Sequence, residues 1–188
     1  MKCHPNNLLI EPPELSVFNP LPRSFPEDYK KYLSVVCSEF PNIPTDAFEE
    51  WIFSFWHDHI SVIYGNLDFR NLNFVLESWV ISKCLKIQWR SSFTFVQSVE
   101  NNWTIEDFYK THSFEKNRVS YWKDLGTWYK PIWVLDSESF SPEQLHSDIK
   151  KPFMLIEGHT RLGALRLHNK HGFAGQTHKV WVISNKQI

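Results

Sequence analysis

The sequence predicts an α+β fold, in which a helical N-terminal region precedes a small mixed β-sheet packed with helices. Apolar residues recur at helical spacing through residues 24–86, and short runs of aromatic and β-branched residues then alternate with helical patterns over residues 87–188. With 188 residues and an apolar share of 42%, the chain can bury the core of one domain, or of a small domain with a helical extension.

The N-terminal part divides into an arm and a helical region. Most of the eleven prolines lie early in the chain, and residues 1–23 are predicted to form an extended Pro-rich arm because proline fixes φ and removes a backbone donor. The first helix is expected to begin at the capping-box spacing of Ser24 and Glu27, and the second at Thr45. A third helix is expected with its apolar face at Leu72, Val75, Leu76, Trp79 and Val80.

The C-terminal part is predicted to mix strands and helices. A helix is expected to begin at Thr104, and another to end at Gly126, because glycine readily adopts the left-handed conformation that follows many last helical turns. The other expected elements are a strand within residues 87–96, a helix over 117–125, strands at 131–135, 153–156 and 178–184, a helical turn at 141–143, and a helix from residue 162.

Charge and cysteine content narrow the expected partners. Twenty basic against twenty-one acidic residues give a net charge of −1, whereas proteins that bind DNA through its phosphates usually carry a basic excess, so DNA is not expected. The three cysteines form no CxxC spacing, and we expect neither a disulfide framework nor zinc nor haem. No apolar run suffices to span a membrane and no secretory signal is recognisable, so a cytoplasmic location is expected.

Several histidines and aromatic residues are weaker candidates for a site. His57 and His59 would point about 200° apart on a helix and cannot share a metal ion. His168 and His171 could share a helical face, but no carboxylate at fixed spacing accompanies them, so a zinc site is not expected. The aromatic residues near the strand at 131–135 are interpreted as core, with stacking on a base as the alternative: Trp122, Trp128, Tyr129 and Trp133.

The segment with the clearest chemistry is Glu157-Gly158-His159-Thr160-Arg161, where an expected strand turns into an expected helix. Glycine at such a junction permits a sharp turn and close approach of a ligand. The first helical N–H groups then point outward with the positive end of the helix dipole behind them, which suits a phosphate. The predicted phosphate-binding residues are Gly158, His159, Thr160 and Arg161. The candidate catalytic residues are Glu157, as a base or ligand of a Mg²⁺-bound water, and His159, as a proton carrier.

Two interpretations of this segment remain open. A cation in the first helical turn opposes the dipole by roughly 0.3–1 kcal/mol, so Arg161 favours a bound anion that its guanidinium can hold bidentately. In the other interpretation, Gly158 only makes a tight turn, Thr160 caps the helix and Arg161 pairs with a nearby carboxylate. The spacing alone does not decide between them.

The order of motifs resembles the ParB/sulfiredoxin superfamily. The resemblance is carried by Leu125-Gly126, by Pro131-Ile132-Trp133-Val134 and by residues 156–164, and it spans about residues 101–184. It implies a domain of bacterial or phage type that binds nucleotide phosphates, with Arg161 among the ligands. The implied ligand is a nucleotide such as ATP or CTP, with Mg²⁺.

The chain departs from the superfamily at two points. Sulfiredoxin has a catalytic cysteine directly after the glycine, where this chain has His159. Partition proteins have a second arginine in the motif and a DNA-binding region downstream, whereas few residues follow the motif here, so neither a true sulfiredoxin nor a full partition protein is expected. The acidic-Gly-His-Thr-Arg stretch looks most like the acidic-Gly-His-His-Arg version of the kinase-like branch.

Three functions follow as hypotheses. The first is binding of a nucleotide or other phosphorylated small molecule, with a nucleotide-dependent phosphotransferase or nucleotide hydrolase as the enzyme if there is turnover. The second is a non-catalytic protein-interaction module, such as an accessory protein of a mobile-element or defence system, which would bind a protein partner through its aromatic-rich helices. The third is a DNA-directed, nuclease-like activity, which the near-neutral charge disfavours.

Overall fold

The computed structural model describes residues 26–53 and 61–185, which belong to two compact units. The first unit contains the described residues up to Leu72 together with Pro142–His146, and the second contains Asn73–Ser141 and the described residues from Ser147 onward. The division between residues 86 and 87 that the sequence suggested does not coincide with this boundary. The predicted Pro-rich arm, the predicted cap at Ser24 and the two histidines at positions 57 and 59 lie outside the described residues.

Helices and strands together confirm the predicted α+β class. The helices are α1 (Pro26–Glu39), α2 (Thr45–Ala47), α3 (Ser61–Tyr64), α4 (Ile81–Cys84), α5 (Phe95–Asn102), α6 (Ile105–Thr111), α7 (Lys116–Leu125) and α8 (His159–Lys170). The strands are β1 (Leu72–Val80), β2 (Ile87–Gln88), β3 (Ile132–Asp136), β4 (Phe153–Glu157) and β5 (Thr177–Asn185). A π-helical turn, Phe48–Ile52, follows α2, and 3-10 turns occupy Phe69–Asn71, Ser137–Ser139 and Pro142–Gln144. Within the described ranges, no helix has the length and apolar character needed to cross a bilayer.

The first unit has an aromatic core and a polar anchor at its end. The buried Trp51 ring lies edge-on to the ring of Tyr64, with 5.6 Å between their centroids. After α1, the Asn42 side-chain amide donates to the backbone carbonyls of Phe69 and Leu72, each at 2.9 Å. Because Leu72 is the first residue of β1, these bonds fix where the chain enters that strand.

The third N-terminal helix expected from the sequence is wrong, since that segment is β1. Its apolar residues recur at i, i+3, i+4 and i+7, which is typical of a helix. In the strand, Leu72 and Trp79 are buried at the two ends, whereas Val75 and Leu76 are exposed. Pairing with β5 makes this segment a strand, because tertiary contacts override a weak local preference for helix. Valine and aromatic residues also suit a strand.

The second unit is organised around a five-stranded sheet of order β1-β5-β3-β4-β2. β3 runs parallel to β5 and antiparallel to β4, while β2 runs parallel to β4. Trp133 of β3 and Trp181 of β5 are register partners and stack with 5.1 Å between ring centroids. The small mixed sheet predicted from the sequence is therefore confirmed.

Alternate residues of the sheet pack against the helices of the second unit. Ile132 and Val134 of β3 and Val180 of β5 share one buried cluster with side chains from α5 to α8, as the two-residue period of a strand requires. Helix α8 comes close to α5 at Gly163, where a Cβ would press against Val99. This packing fixes α8, and with it the position of its N-terminus at the end of β4.

Local signals in the C-terminal part are mostly confirmed. Thr104 begins α6 with the reciprocal bonds of a capping box, in which the Asp107 carboxylate accepts from the Thr104 amide and hydroxyl. These hydrogen bonds lower the pKa of the Asp107 carboxyl. Helix α7 ends at Gly126 in the left-handed conformation, as predicted. The strand expected within residues 87–96 is confirmed only over its first two residues, because the chain turns into α5 soon after.

Gly126 and Gly172 are a matched pair for testing the turn after α7. Both have positive φ, but a Cβ on Gly126 would collide with the Phe173 carbonyl and the Gly175 amide, whereas one on Gly172 would meet nothing within 4 Å. We expect Gly172→Ala to lower the free energy of unfolding by about 1 kcal/mol from backbone strain alone. Gly126→Ala should lower it by at least about 2 kcal/mol more. Urea unfolding measures the difference, and equal losses would contradict the close contact at Gly126.

Candidate functional site

Gly158 forms the junction between β4 and α8, as the sequence predicted. Its φ of +106° lies in the left-handed region, and a Cβ at this position would collide with the side chain of Ile132 at the start of β3. Glycine is therefore required both for the backbone conformation and for the close contact between the two segments.

The N-terminus of α8 is built on a residue without a side chain. Gly158 is the N-cap residue, and its carbonyl accepts the Leu162 N–H at 2.8 Å, but it can supply no side-chain cap. Thr160 is the second residue of the helix and not its cap, so the interpretation in which Thr160 caps α8 is wrong. A helix of twelve residues thus begins here with its first amides and the positive end of its dipole at one end of the sheet.

The Arg161 guanidinium is engaged within the protein. Its Nη1 donates to the backbone carbonyls of Pro131 at 2.7 Å and of Lys130 at 3.1 Å. Its Nη2 lies 3.6 Å from Oε1 of Glu157, and only 13% of the Arg161 side chain is exposed. We call this set of contacts the Arg161 clamp, since it joins the first turn of α8 to the end of β4 and the residues before β3.

The clamp explains why an arginine stands at a helix N-terminus. Charge-assisted hydrogen bonds to two carbonyls, together with the pairing to Glu157, offset the small unfavourable interaction with the dipole. The carboxylate pairing expected in the alternative interpretation of Arg161 is therefore present. A direct contact of Arg161 with phosphate stays a prediction, and it would require the guanidinium to exchange one of these partners.

His159 lies in a layered arrangement that the sequence did not suggest. Its ring is 4.3 Å from the ring of Phe93 between centroids, and the Arg90 guanidinium carbon lies 5.5 Å from the centroid of the same Phe93 ring. Arg90 Nη2 pairs with Asp148 at 3.1 Å, while its Nε is buried and has no hydrogen-bond partner among the described residues. Arg90 is thus a second cation near the start of α8.

Arg90 could have been found from the sheet topology, although not from the motif. It follows β2, which runs parallel to β4, and Ile87 is the register partner of Phe153. The carboxyl ends of parallel strands meet at the same edge of a sheet, so residues after β2 approach those after β4. The sequence signal was the strand expected within residues 87–96, a range that contains Arg90, but the pairing of this strand could not be assigned.

The other predicted candidates belong to the core or stand apart from the site. His168 is fully buried, with Nδ1 2.7 Å from the Ala164 carbonyl and Nε2 3.1 Å from the Tyr109 hydroxyl, and burial lowers the pKa of its imidazole. His171 is exposed.

Of the four aromatic residues interpreted as core, three are buried and Tyr129 is exposed. In the part of the chain that the structure describes, no group of three or more His, Cys, Asp or Glu side chains is arranged to hold a metal ion.

Comparisons with known proteins provide no assignment for this arrangement. No protein-family model, no curated protein and no solved structure matches the chain. The resemblance to the ParB/sulfiredoxin superfamily therefore stays a prediction based on the motifs.

Removal of the clamp is expected to destabilise the fold. Arg161→Ala leaves two backbone carbonyls and Glu157 without their cation, and should lower the free energy of unfolding by about 2 kcal/mol. Arg70→Ala is the control, because Arg70 forms an exposed ion pair with Glu39 that should contribute less than about 1 kcal/mol. Denaturant unfolding compares the two variants. A loss in Arg161→Ala no larger than that of the control would contradict the structural role of the clamp.

Proposed function

We propose that this protein binds a phosphate-bearing small molecule at the N-terminus of α8, with a nucleotide such as ATP or CTP as the expected class. The observation that carries the proposal is the junction at Gly158. A twelve-residue helix begins there directly after a strand of the sheet, and its N-cap residue has no side chain. Backbone amides and the helix dipole act together at such a terminus, and both favour an anion.

The surrounding charges support the same conclusion. Arg161 lies in the first turn of α8, and Arg90 lies over the Phe93 ring, which is in tilted contact with the His159 imidazole. The carboxylates of Glu157 and Asp148 offset part of this charge. A phosphate group carries more than one negative charge and several acceptor oxygens, so it can compete with a single carboxylate for either arginine.

Each residue of the predicted site has a role in this proposal. The amides of Gly158, His159 and Thr160 would hold phosphate oxygens, and the His159 imidazole would donate a further hydrogen bond or carry a proton. Glu157 would orient a water on Mg²⁺ or act as a base, and Arg161 would add its charge while the clamp holds the helix in place. Turnover would make the protein a nucleotide-dependent phosphotransferase or nucleotide hydrolase.

A protein-interaction module is the second candidate function, and exposed apolar side chains favour it. Leu125 at the end of α7 and Phe173 after α8 are both exposed, and the Phe173 carbonyl lies beside Gly126, the residue that follows Leu125. Phe114, between α6 and α7, is 79% exposed. Exposed apolar patches are typical of partner surfaces. Such a module would need no phosphate site, so a phosphate-binding measurement separates the two functions.

Thr160→Glu tests the proposed site without weakening the fold. A carboxylate at the second position of a helix interacts favourably with the dipole by about 0.3–1 kcal/mol, so the variant should be at least as stable as the wild type. The same carboxylate would repel a phosphate at the first amides. Isothermal titration with pyrophosphate, ATP and CTP, each with and without Mg²⁺, is expected to show binding to the wild type and at least about a tenfold loss in Thr160→Glu.

Thr160→Gln is the matched control, because it has the size of the glutamate variant without its charge. We expect Thr160→Gln to bind within about threefold of the wild type, a difference of less than 1 kcal/mol. Equal binding by the Glu and Gln variants would place the site elsewhere on the protein. No binding of any of the three compounds to the wild type would reject the proposal.

A further inference from the structure

A cavity of about 230 Å³ lies in the second unit, beside the residues that the Arg161 clamp holds. Its walls come from the segment between α7 and β3, from the start of β5, and from β1 and α7. Its lining residues include Ser78, Tyr121, Tyr129, Pro131 and Thr177.

The cavity and the N-terminus of α8 lie at the same end of the sheet. Trp133 near the start of β3 pairs with Glu157 at the end of β4, and these strands are antiparallel. β5 runs parallel to β3, so its first residues lie at that end too. The Ile81 amide after β1 donates to the Gln176 carbonyl before β5, which brings the end of β1 to the same place.

Pro131 links the cavity to the N-terminus of α8. Pro131 lines the cavity, and its carbonyl accepts the hydrogen bond from Arg161 Nη1 at 2.7 Å. The next residue, Ile132, is in contact with Gly158, where α8 begins. The peptide segment at the start of β3 is therefore shared by the cavity and the contacts that hold the first turn of α8.

Two contacts between residues that line the cavity join the segment before β3 to β5. Trp128 Nε1 donates to the Lys179 carbonyl at 2.6 Å, and Thr127 Oγ1 lies 2.9 Å from Nδ1 of His178. Burial lowers the pKa of His178 to about 4, so its imidazole is neutral at pH 7. These contacts hold the lining residues in place before a ligand arrives, which lowers the entropic cost of binding.

The walls combine aromatic rings with hydroxyl groups. Tyr121 and Tyr129 are edge-on to each other, with 5.1 Å between their centroids, and both are exposed. Ser78 and Thr177 are exposed hydroxyl residues on neighbouring strands. Exposed aromatic rings offer stacking faces for planar heterocycles, and hydroxyl groups can donate to or accept from their edges.

We propose that this cavity receives the base of a nucleotide whose phosphates lie at the N-terminus of α8, with Tyr129 as the stacking residue. This inference rests on the proposed function and adds a separate site for the base to the proposed phosphate site. The volume supports it, because 230 Å³ is below the roughly 300–1,000 Å³ of sites that enclose a whole drug-sized ligand. A base fits in the cavity while the phosphates remain outside it.

Isothermal titration with nucleoside monophosphates and with ribose 5-phosphate tests the inference on the full chain. At least one of AMP, CMP, GMP and UMP is expected to bind about tenfold more tightly than ribose 5-phosphate, because stacking of a base adds affinity. Tyr129→Ala should abolish this advantage and leave the affinity for ribose 5-phosphate unchanged, whereas Tyr129→Phe should keep it. Phe114→Ala, which removes an aromatic ring that is 79% exposed and does not line the cavity, should behave as wild type.

The outcomes separate this inference from the proposed function. Equal affinities for ribose 5-phosphate and all four nucleotides, or an advantage that survives in Tyr129→Ala, would overturn the base site and leave the phosphate site intact. Failure of all five compounds with pyrophosphate still bound would overturn the base site alone, whereas failure of pyrophosphate, ATP and CTP as well would overturn the proposed function and this inference with it.

Discussion

The Arg161 clamp joins three segments that are distant in the chain. The guanidinium connects the first turn of α8 to the end of β4 through Glu157 and to the residues before β3 through two backbone carbonyls. The contact between Gly158 and Ile132 lies directly beside it and tolerates no Cβ. Because α8 is also packed against α5, the helix cannot shift at this end without breaking the clamp or opening the contact at Gly158.

Both parts of the proposed ligand site depend on this arrangement. The clamp places the positive end of the α8 dipole at the end of the sheet, and it fixes the segment that forms one wall of the cavity. A ligand that bridges the two would contact elements that are already held together, so little reordering of the protein is needed for binding. The same geometry accounts for an arginine where dipole considerations alone would disfavour one.

The features that the sequence predicted well are those with local signals. The helix start at Thr104, the left-handed turn at Gly126 and the strand–glycine–helix junction at Gly158 each depend on a few consecutive residues. β1 was mistaken for a helix because its apolar residues recur at helical spacing, and pairing with the last strand overrides that local pattern. Contacts across long sequence separations could not be predicted, since the carbonyl partners of Arg161 lie 30 and 31 residues away.

In the candidate site too, the local motif was predicted from the sequence, whereas contacts between distant residues were not. The motif identified the residues at the start of α8, but the contacts of Arg161 and the approach of Phe93 to His159 depend on how the strands pair. Tyr129 was interpreted as core together with three tryptophans, but it is exposed, whereas the adjacent Trp128 in the same connecting segment is buried. An aromatic-rich sequence does not indicate which rings remain accessible.

A titration of the ¹⁵N-labelled protein with pyrophosphate, followed by the backbone amide signals, tests the central claim most directly. The proposed site predicts saturable shifts that are largest for the amides of residues 158–161, because these N–H groups would donate to the phosphate oxygens. Shifts confined to amides elsewhere in the chain, or no saturable shift at residues 158–161, would contradict it.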